Sequence, residues 1–249
     1  MIVDAFMFCG EKECLAIRCA EYDGLVDRYV AVEGTHTFQG QERQVTPLAE
    51  LKAIHPLLEQ AVFTHWTATS PWERETAQRN SIKDVLQKDD WALVSDVDEI
   101  VRRSVLEKAL NEWTPWRVTA FDLKQYYYRL NLLDEAETVL TPRLIRDQDI
   151  SPQALRSLRP RAFERPVEDA GWHFGWLGDV PRLQQKLQAF AHDELNTPEL
   201  RDPGFLQGCI QGRYTLHNGH LLTKVEIDDS FPRLVRENPQ LFQDLIAHD

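Results

Sequence analysis

Along the first half of the chain, short apolar runs alternate with segments whose apolar residues recur at helical spacing. Ile2 to Phe8 reads as a buried strand. Glu11 to Tyr22 follows as a helix, with Leu15, Cys19 and Tyr22 on one face. Val26 to Val32 is a second strand ending at Glu33-Gly34, and the polar stretch Thr35 to Arg43, with Gly40, is a loop at its carboxyl end. Pro47 to Glu59 predicts a helix disturbed by Pro56, and Ala61 to Trp66 a third strand. Trp72 to Gln87 predicts a helix with Ile82, Val85 and Leu86 on its core face, and it delivers the chain to a fourth strand at Trp91 to Val94. This alternation predicts an α/β fold with a largely parallel, doubly wound sheet covered by helices.

The pattern then changes to a mixed second half. Ser104 to Trp113 predicts a helix, Trp116 to Leu130 a long β-rich run, and Thr138 to Ile145 its antiparallel partner. Ala170 to Trp176 concentrates glycine and aromatic residues around His173. Val180 to His192, Asp202 to Gln211 and Phe231 to Ile246 predict helices. No repeat, low-complexity segment or linker divides the chain, so residues 1–249 are read as one domain.

The fourth strand runs straight into Asp96, Asp98 and Glu99. Open α/β sheets bind ligands at the carboxyl ends of their strands, so these acids stand where a site is expected. On extended backbone Asp96 and Asp98 point the same way, and two hard carboxylates aimed at one point suit Mg²⁺ or Mn²⁺ bridging phosphates. The plain alternative for an isolated Asp-x-Asp is a solvated strand end and helix cap.

Composition narrows the partners. A net charge of −12 argues against non-specific binding to nucleic acid or an anionic membrane. Met1 to Phe8 has no basic leader and carries Asp4 inside its short apolar run, so it is a strand rather than a signal peptide. No apolar run approaches the roughly 20 residues of a membrane span, and a cytoplasmic location is expected. Cys9, Cys14, Cys19 and Cys209 lack Cys-x-x-Cys spacing and are read as buried free thiols of a reducing compartment.

Other residue pairs leave two readings open. Glu75 and Arg79 are helical neighbours, which a surface ion pair explains, yet Arg79 and Asn80 could also hold a diphosphate. His173 and His192 could be ordinary histidines, one in the core and one at a helix end, or metal ligands. Glu194, Asp193, Asp179 and Glu99 are candidates for a general base.

Several stretches together are more specific than any one. They are Ile2 to Phe6, Val32-Glu33 with Thr37 to Gly40, Trp72 to Glu75 with Gln78-Arg79-Asn80, Ser95 to Ile100, Tyr126 to Tyr128, Gly171 to Phe174, and Lys186-Leu187 with Phe190 to Glu194. In this order they resemble glycosyltransferase family 17, which includes the bisecting N-acetylglucosaminyltransferase of N-glycans and many bacterial members. Cys9-Gly10 stands where Phe-Asn is expected, and Gly175-Trp176 replaces Ser-Tyr.

The resemblance implies a GT-A fold, with residues 1–113 as the nucleotide-binding half and 114–249 as the acceptor-side half with C-terminal helices. It implies inverting transfer of N-acetylglucosamine from UDP-GlcNAc to a glycan acceptor, assisted by Mn²⁺ or Mg²⁺. Carried over by residue, Asp96 and Asp98 are the Asp-x-Asp, with Asp98 the direct ligand and His173 or His192 completing the metal site. Glu33 falls near uracil or ribose. Arg79 and Asn80 match the Arg-Asn pair that precedes the Asp-x-Asp strand. Apart from the resemblance, Arg74 and Asp96 are expected to contact the donor with them, and Glu194, ahead of Asp193 and Glu99, is the expected base. The animal members carry a membrane anchor and Golgi stem, so a bacterial cell-surface glycan is a more natural acceptor here than an N-glycan. Rival readings are a non-catalytic nucleotide-sugar-binding protein of the same fold, a phosphatase with Asp96 as nucleophile, and a glycoside hydrolase using two carboxylates with no metal or nucleotide.

Overall fold

The computed structural model describes residues 1–64, 69–112, 118–146, 151–157 and 166–248. The first half alternates as the apolar pattern requires: β1 (Ile2–Phe8), α1 (Lys12–Tyr22), β2 (Arg28–Gly34), α2 (Leu48–Ile54), β3 (Leu58–Phe63), α3 (Pro71–Asn80) and β4 (Trp91–Asp96). These strands are parallel, in the spatial order β4-β1-β2-β3. Val3 and Ala5 point to one face, where they pack with Val30, Val32, Ala92, Val94 and Ile82. Phe6 and Phe8 point to the other, with Tyr29, Ala31 and Leu93 and with Leu15 and Ile17 of α1. Burial on both faces is why β1, β2 and β4 read as largely apolar runs, whereas the edge strand β3 leaves Glu59 and Val62 exposed.

Element ends follow local chemistry. Pro56 forces extended backbone on His55, so α2 stops at Ile54 and β3 starts at Leu58, ahead of the expected Ala61. Ser70 and Glu73 form a reciprocal cap with Pro71 in the first turn of α3. That helix ends at Asn80 and continues as a 3₁₀ turn over Ser81–Val85. Trp66, Trp113 and Trp116, at the ends of expected elements, lie outside the described residues.

The second half comprises β5 (Glu99–Val101), α4 (Arg103–Asn111), β6 (Val118–Tyr128), β7 (Leu132–Val139), β8 (Arg143–Ile145), α5 (Pro152–Ser157), β9 (Val167–Leu177), α6 (Val180–Ala189), α7 (Pro203–Gly212), β10 (Thr223–Lys224) and α8 (Arg233–Glu237). The short β8 lies antiparallel between β4 and the start of β6, joining the two halves. Beyond that point β6 pairs with β7 antiparallel and with β9 parallel, and β5 pairs with β9. Among the described residues this makes one ten-stranded sheet. The expected partner of β6 over Thr138 to Ile145 is thus divided between the end of β7 and β8, with Pro142, which lacks an N–H, at the break. The expected helix over Phe231 to Ile246 is divided too, into α8 and a 3₁₀ segment that begins at Pro239.

Arg18 of α1 ties this frame together from a fully buried position. Its guanidinium donates to Asp4 Oδ2 (2.6 Å), Ser95 Oγ (2.7 Å) and the carbonyls of Asp96 (3.1 Å) and Glu99 (2.7 Å). It also lies over the rings of Phe6 and Tyr22. Removing it strands a buried carboxylate and frees two carbonyls. Arg18→Met is expected to lower stability by about 3–5 kcal/mol in urea denaturation, and adding Asp4→Leu to recover a large part of that loss.

Candidate active site

A cleft of about 800 Å³ opens at the carboxyl ends of β1, β4, β6 and β9, with α6 along one side. The loop after β2 closes it by docking on α6. Phe38 N donates to Ala189 O (2.9 Å), and Gln39 Nε2 to Phe190 O (2.9 Å). Arg74 holds that loop from behind, donating to Phe38 O (2.8 Å).

Asp98 lies on the cleft and is 5% exposed. The turn after β4 leads into β5, which pairs with β9 so that Glu99 lies opposite His173 and Phe174 N donates to Asp98 O (2.9 Å). Gly171 permits the close approach of these strands, since a Cβ there would come within 2.1 Å of Ile100 O. His173 Nδ1 bonds to Gln125 Oε1, and its Nε2 faces Asp98 Oδ1 at 3.6 Å. Gly175 leaves room for that ring, because its Cβ would stand 2.7 Å from Nε2. On the other carboxylate oxygen, Lys186 Nζ of α6 donates to Asp98 Oδ2 (3.2 Å) and also to Gly175 O. Burial pushes the Asp98 pKa up, but the charges of Lys186 and His173 outweigh it and hold the group well below the usual carboxylate range. Burial works against the Lys186 charge, and Asp98 followed by Glu11 keeps it ionised.

The other expected residues divide between the cleft and its supports. Asp96 accepts from Arg79 NH1 (2.6 Å), and Arg79 NH2 donates to Glu75 (3.0 Å). The Glu75–Arg79 pair is therefore real but buried, not a surface pair, and it serves to brace the Asp-x-Asp turn. Glu33 is fully buried and turned away from the cleft, accepting from Arg43 NH2, Thr46 and Gln60. It holds Arg43, which does line the cleft. Asn80 Oδ1 accepts from Ser151 Oγ and Gln153 N, tying α3 to α5. Glu99 is fully buried, accepting from Asp96 N (2.8 Å) and Thr141 Oγ1, so it shapes the turn rather than facing the cleft.

Beyond α6, Glu194 and His192 line the cleft and are partnered through His192 Nδ1 (2.6 Å). That hydrogen bond lowers the Glu194 pKa. His192 is packed between Trp72 and Phe190 and pairs with Glu194, while the histidine beside Asp98 is His173. Asp193 opens a 3₁₀ turn, and Asp179 caps α6 through Arg182 N. Of the aromatics in these stretches, Trp172, Tyr126 and Tyr128 are buried in the cores, while Tyr127 and Trp176 reach the cleft.

The donors suit one oxygen-seeking divalent ion. Asp98 Oδ1 and His173 Nε2 are 3.6 Å apart, which one ion with bonds of about 2.1 Å spans, and His173 is oriented from its other nitrogen as ligating histidines are. Among the described residues no third acid, cysteine or histidine joins the pair with every ligand atom within 4.8 Å, so a bound ligand would have to supply further oxygens.

Sequence reasoning assigned no role to Lys186, Arg43, Gln125 or Glu11, all of which line the cleft. A signal existed for two of them. Gln125 shares a strand face with buried Leu123 and Tyr127, and Lys186 adjoins buried Leu183 and Leu187. Burial pushes the Glu11 carboxyl up, opposed by Lys186.

The model of glycosyltransferase family 17 matches residues 1–217, a span that holds every residue of this cleft. The chain belongs to glycosyltransferase family 17. No curated protein matches it. As a family 17 glycosyltransferase it acts on a sugar donor and an acceptor. Among its described residues no helix is long and apolar enough to cross a membrane.

The two glutamates should behave oppositely when neutralised. Glu99→Gln places an amide donor against buried groups that need an acceptor, and is expected to cost about 1–3 kcal/mol in urea denaturation. Glu194→Gln, at an exposed position, should stay within about 0.5 kcal/mol of the parent.

Proposed function

We propose that this family 17 glycosyltransferase has the GT-A architecture and transfers N-acetylglucosamine, with inversion, from UDP-GlcNAc to a glycan hydroxyl. The observation that carries the reading is Asp98 at the carboxyl side of a parallel strand, with His173 Nε2 facing it inside the cleft. Family membership supplies the sugar-transfer chemistry, and the resemblance of the Asp-x-Asp and Gly-Trp-His stretches supplies the donor. Mn²⁺ or Mg²⁺ would be held by Asp98 and His173, and would contribute positive charge against the departing diphosphate.

The chain's own residues arrange the rest. Arg79 neutralises Asp96 and fixes the turn that aims Asp98. Arg43, anchored by Glu33, adds positive charge on the β2 side of the cleft. Tyr127, Trp176 and Phe190 offer apolar faces on which a sugar ring can stack. The acceptor hydroxyl must lose its proton as its oxygen attacks C1 and the bond from C1 to UDP breaks. A carboxylate with a lowered pKa is a weak base by itself, so we assign the proton to His192, with Glu194 orienting the imidazole through Nδ1.

Two measurements test this function. UDP should raise the melting temperature in Mn²⁺ more than GDP, CMP or dTDP does; equal or absent shifts would remove the donor assignment. His192→Asn should lower kcat for UDP release from UDP-GlcNAc by about 10²–10⁴-fold with the donor KM unchanged. A full-rate variant would exclude this histidine as base.

A further inference from the structure

The basic side chains of the cleft have different partners. Arg79 is held between Glu75 and Asp96, Arg43 is anchored on buried Glu33, and Arg182 pairs with Glu13. Lys186 differs. Its ammonium has three N–H donors, and among the described residues two acceptors take them: Asp98 Oδ2 at 3.2 Å and Gly175 O. The charge also lies 5.5 Å from the Trp176 ring centroid, on the cleft wall. Asp98 presents its second oxygen to His173, so one carboxylate separates the lysine from the place where an ion fits.

We propose that Lys186 is a direct ligand of the donor's diphosphate, a built-in cation beside the metal position that acts independently of any metal. The inference rests on the donor site assigned above. A lysine ammonium is a compact point charge suited to phosphate oxygens. Held by Asp98 and the Gly175 carbonyl, it keeps one N–H for a ligand. The cleft is also lined by Glu11, Glu75, Asp96 and Asp98, so a diphosphate would meet strong repulsion without a cation at this point.

The test is calorimetric titration of UDP, inorganic pyrophosphate and uridine into the parent and Lys186→Met, each in EDTA and in saturating Mn²⁺. In EDTA the variant should bind UDP and pyrophosphate at least about tenfold more weakly, the loss of one charge-assisted hydrogen bond, with uridine unchanged. Mn²⁺ should tighten UDP binding by the same factor in both proteins, and Lys186→Arg should restore most of the affinity in EDTA. Unchanged UDP affinity in EDTA, or a Mn²⁺ gain that disappears with the lysine, would overturn the proposal and make Lys186 a prop for Asp98. A parent that binds UDP only in Mn²⁺ would also overturn it, without needing a variant. A parent that binds UDP in neither condition would instead defeat the donor assignment.

Discussion

The buried guanidinium of Arg18 is the constraint on which the geometry of the site depends. It sits where α1 crosses the sheet, and its hydrogen bonds run to a side chain of β1, a side chain of β4 and two carbonyls of the turn between β4 and β5. A fully buried cation is tolerable only when every donor meets an acceptor, so the network admits few alternative arrangements. The turn that bears Asp98 therefore inherits the rigidity of the core. Glu99 secures it from the other side by accepting from Asp96 N and Thr141 Oγ1.

Around that turn the acids of the Asp-x-Asp stretch do different work because they meet different neighbours. Asp96 faces Arg79 and braces the loop, Asp98 faces His173 and Lys186 on the cleft, and Glu99 is folded into the protein. Lys186 and His173 come from elements distant in sequence, α6 and β9. They meet at Asp98 because β9 runs parallel to β6 and antiparallel to β5, which carries its carboxyl end to the same cleft as that of β4. Close backbone approach at Gly171 and the absent Cβ at Gly175 make that convergence possible.

Both walls of the cleft carry charged and aromatic groups. Lys186 of α6 meets Asp98 at the strand ends, and Trp176 near the end of β9 packs against Phe190 just beyond α6, next to the His192–Glu194 pair. The loop after β2 is bonded to the end of α6 and held by Arg74.

Much of this was legible in the residues alone. The β-α alternation from Ile2 to Asp96, the polar loop after β2 and the acids at the end of β4 all follow from short-range pattern, because a strand buried on both faces must be apolar and must end where polarity begins. What only the tertiary structure decided depends on pairing across long stretches of chain. β9 is hard to read locally although Ala170, Trp172, Phe174 and Trp176 recur at every second position, because Gly171 and Gly175 between them signal a loop as readily as a strand. The direction of Glu33, turned inward to Arg43, Thr46 and Gln60, depended on which residues fold back over β2. The place of Lys186 depended on how α6 lies across the cleft. A local pattern sets which face of an element is buried, but the partner that face meets is set by the packing of the whole chain.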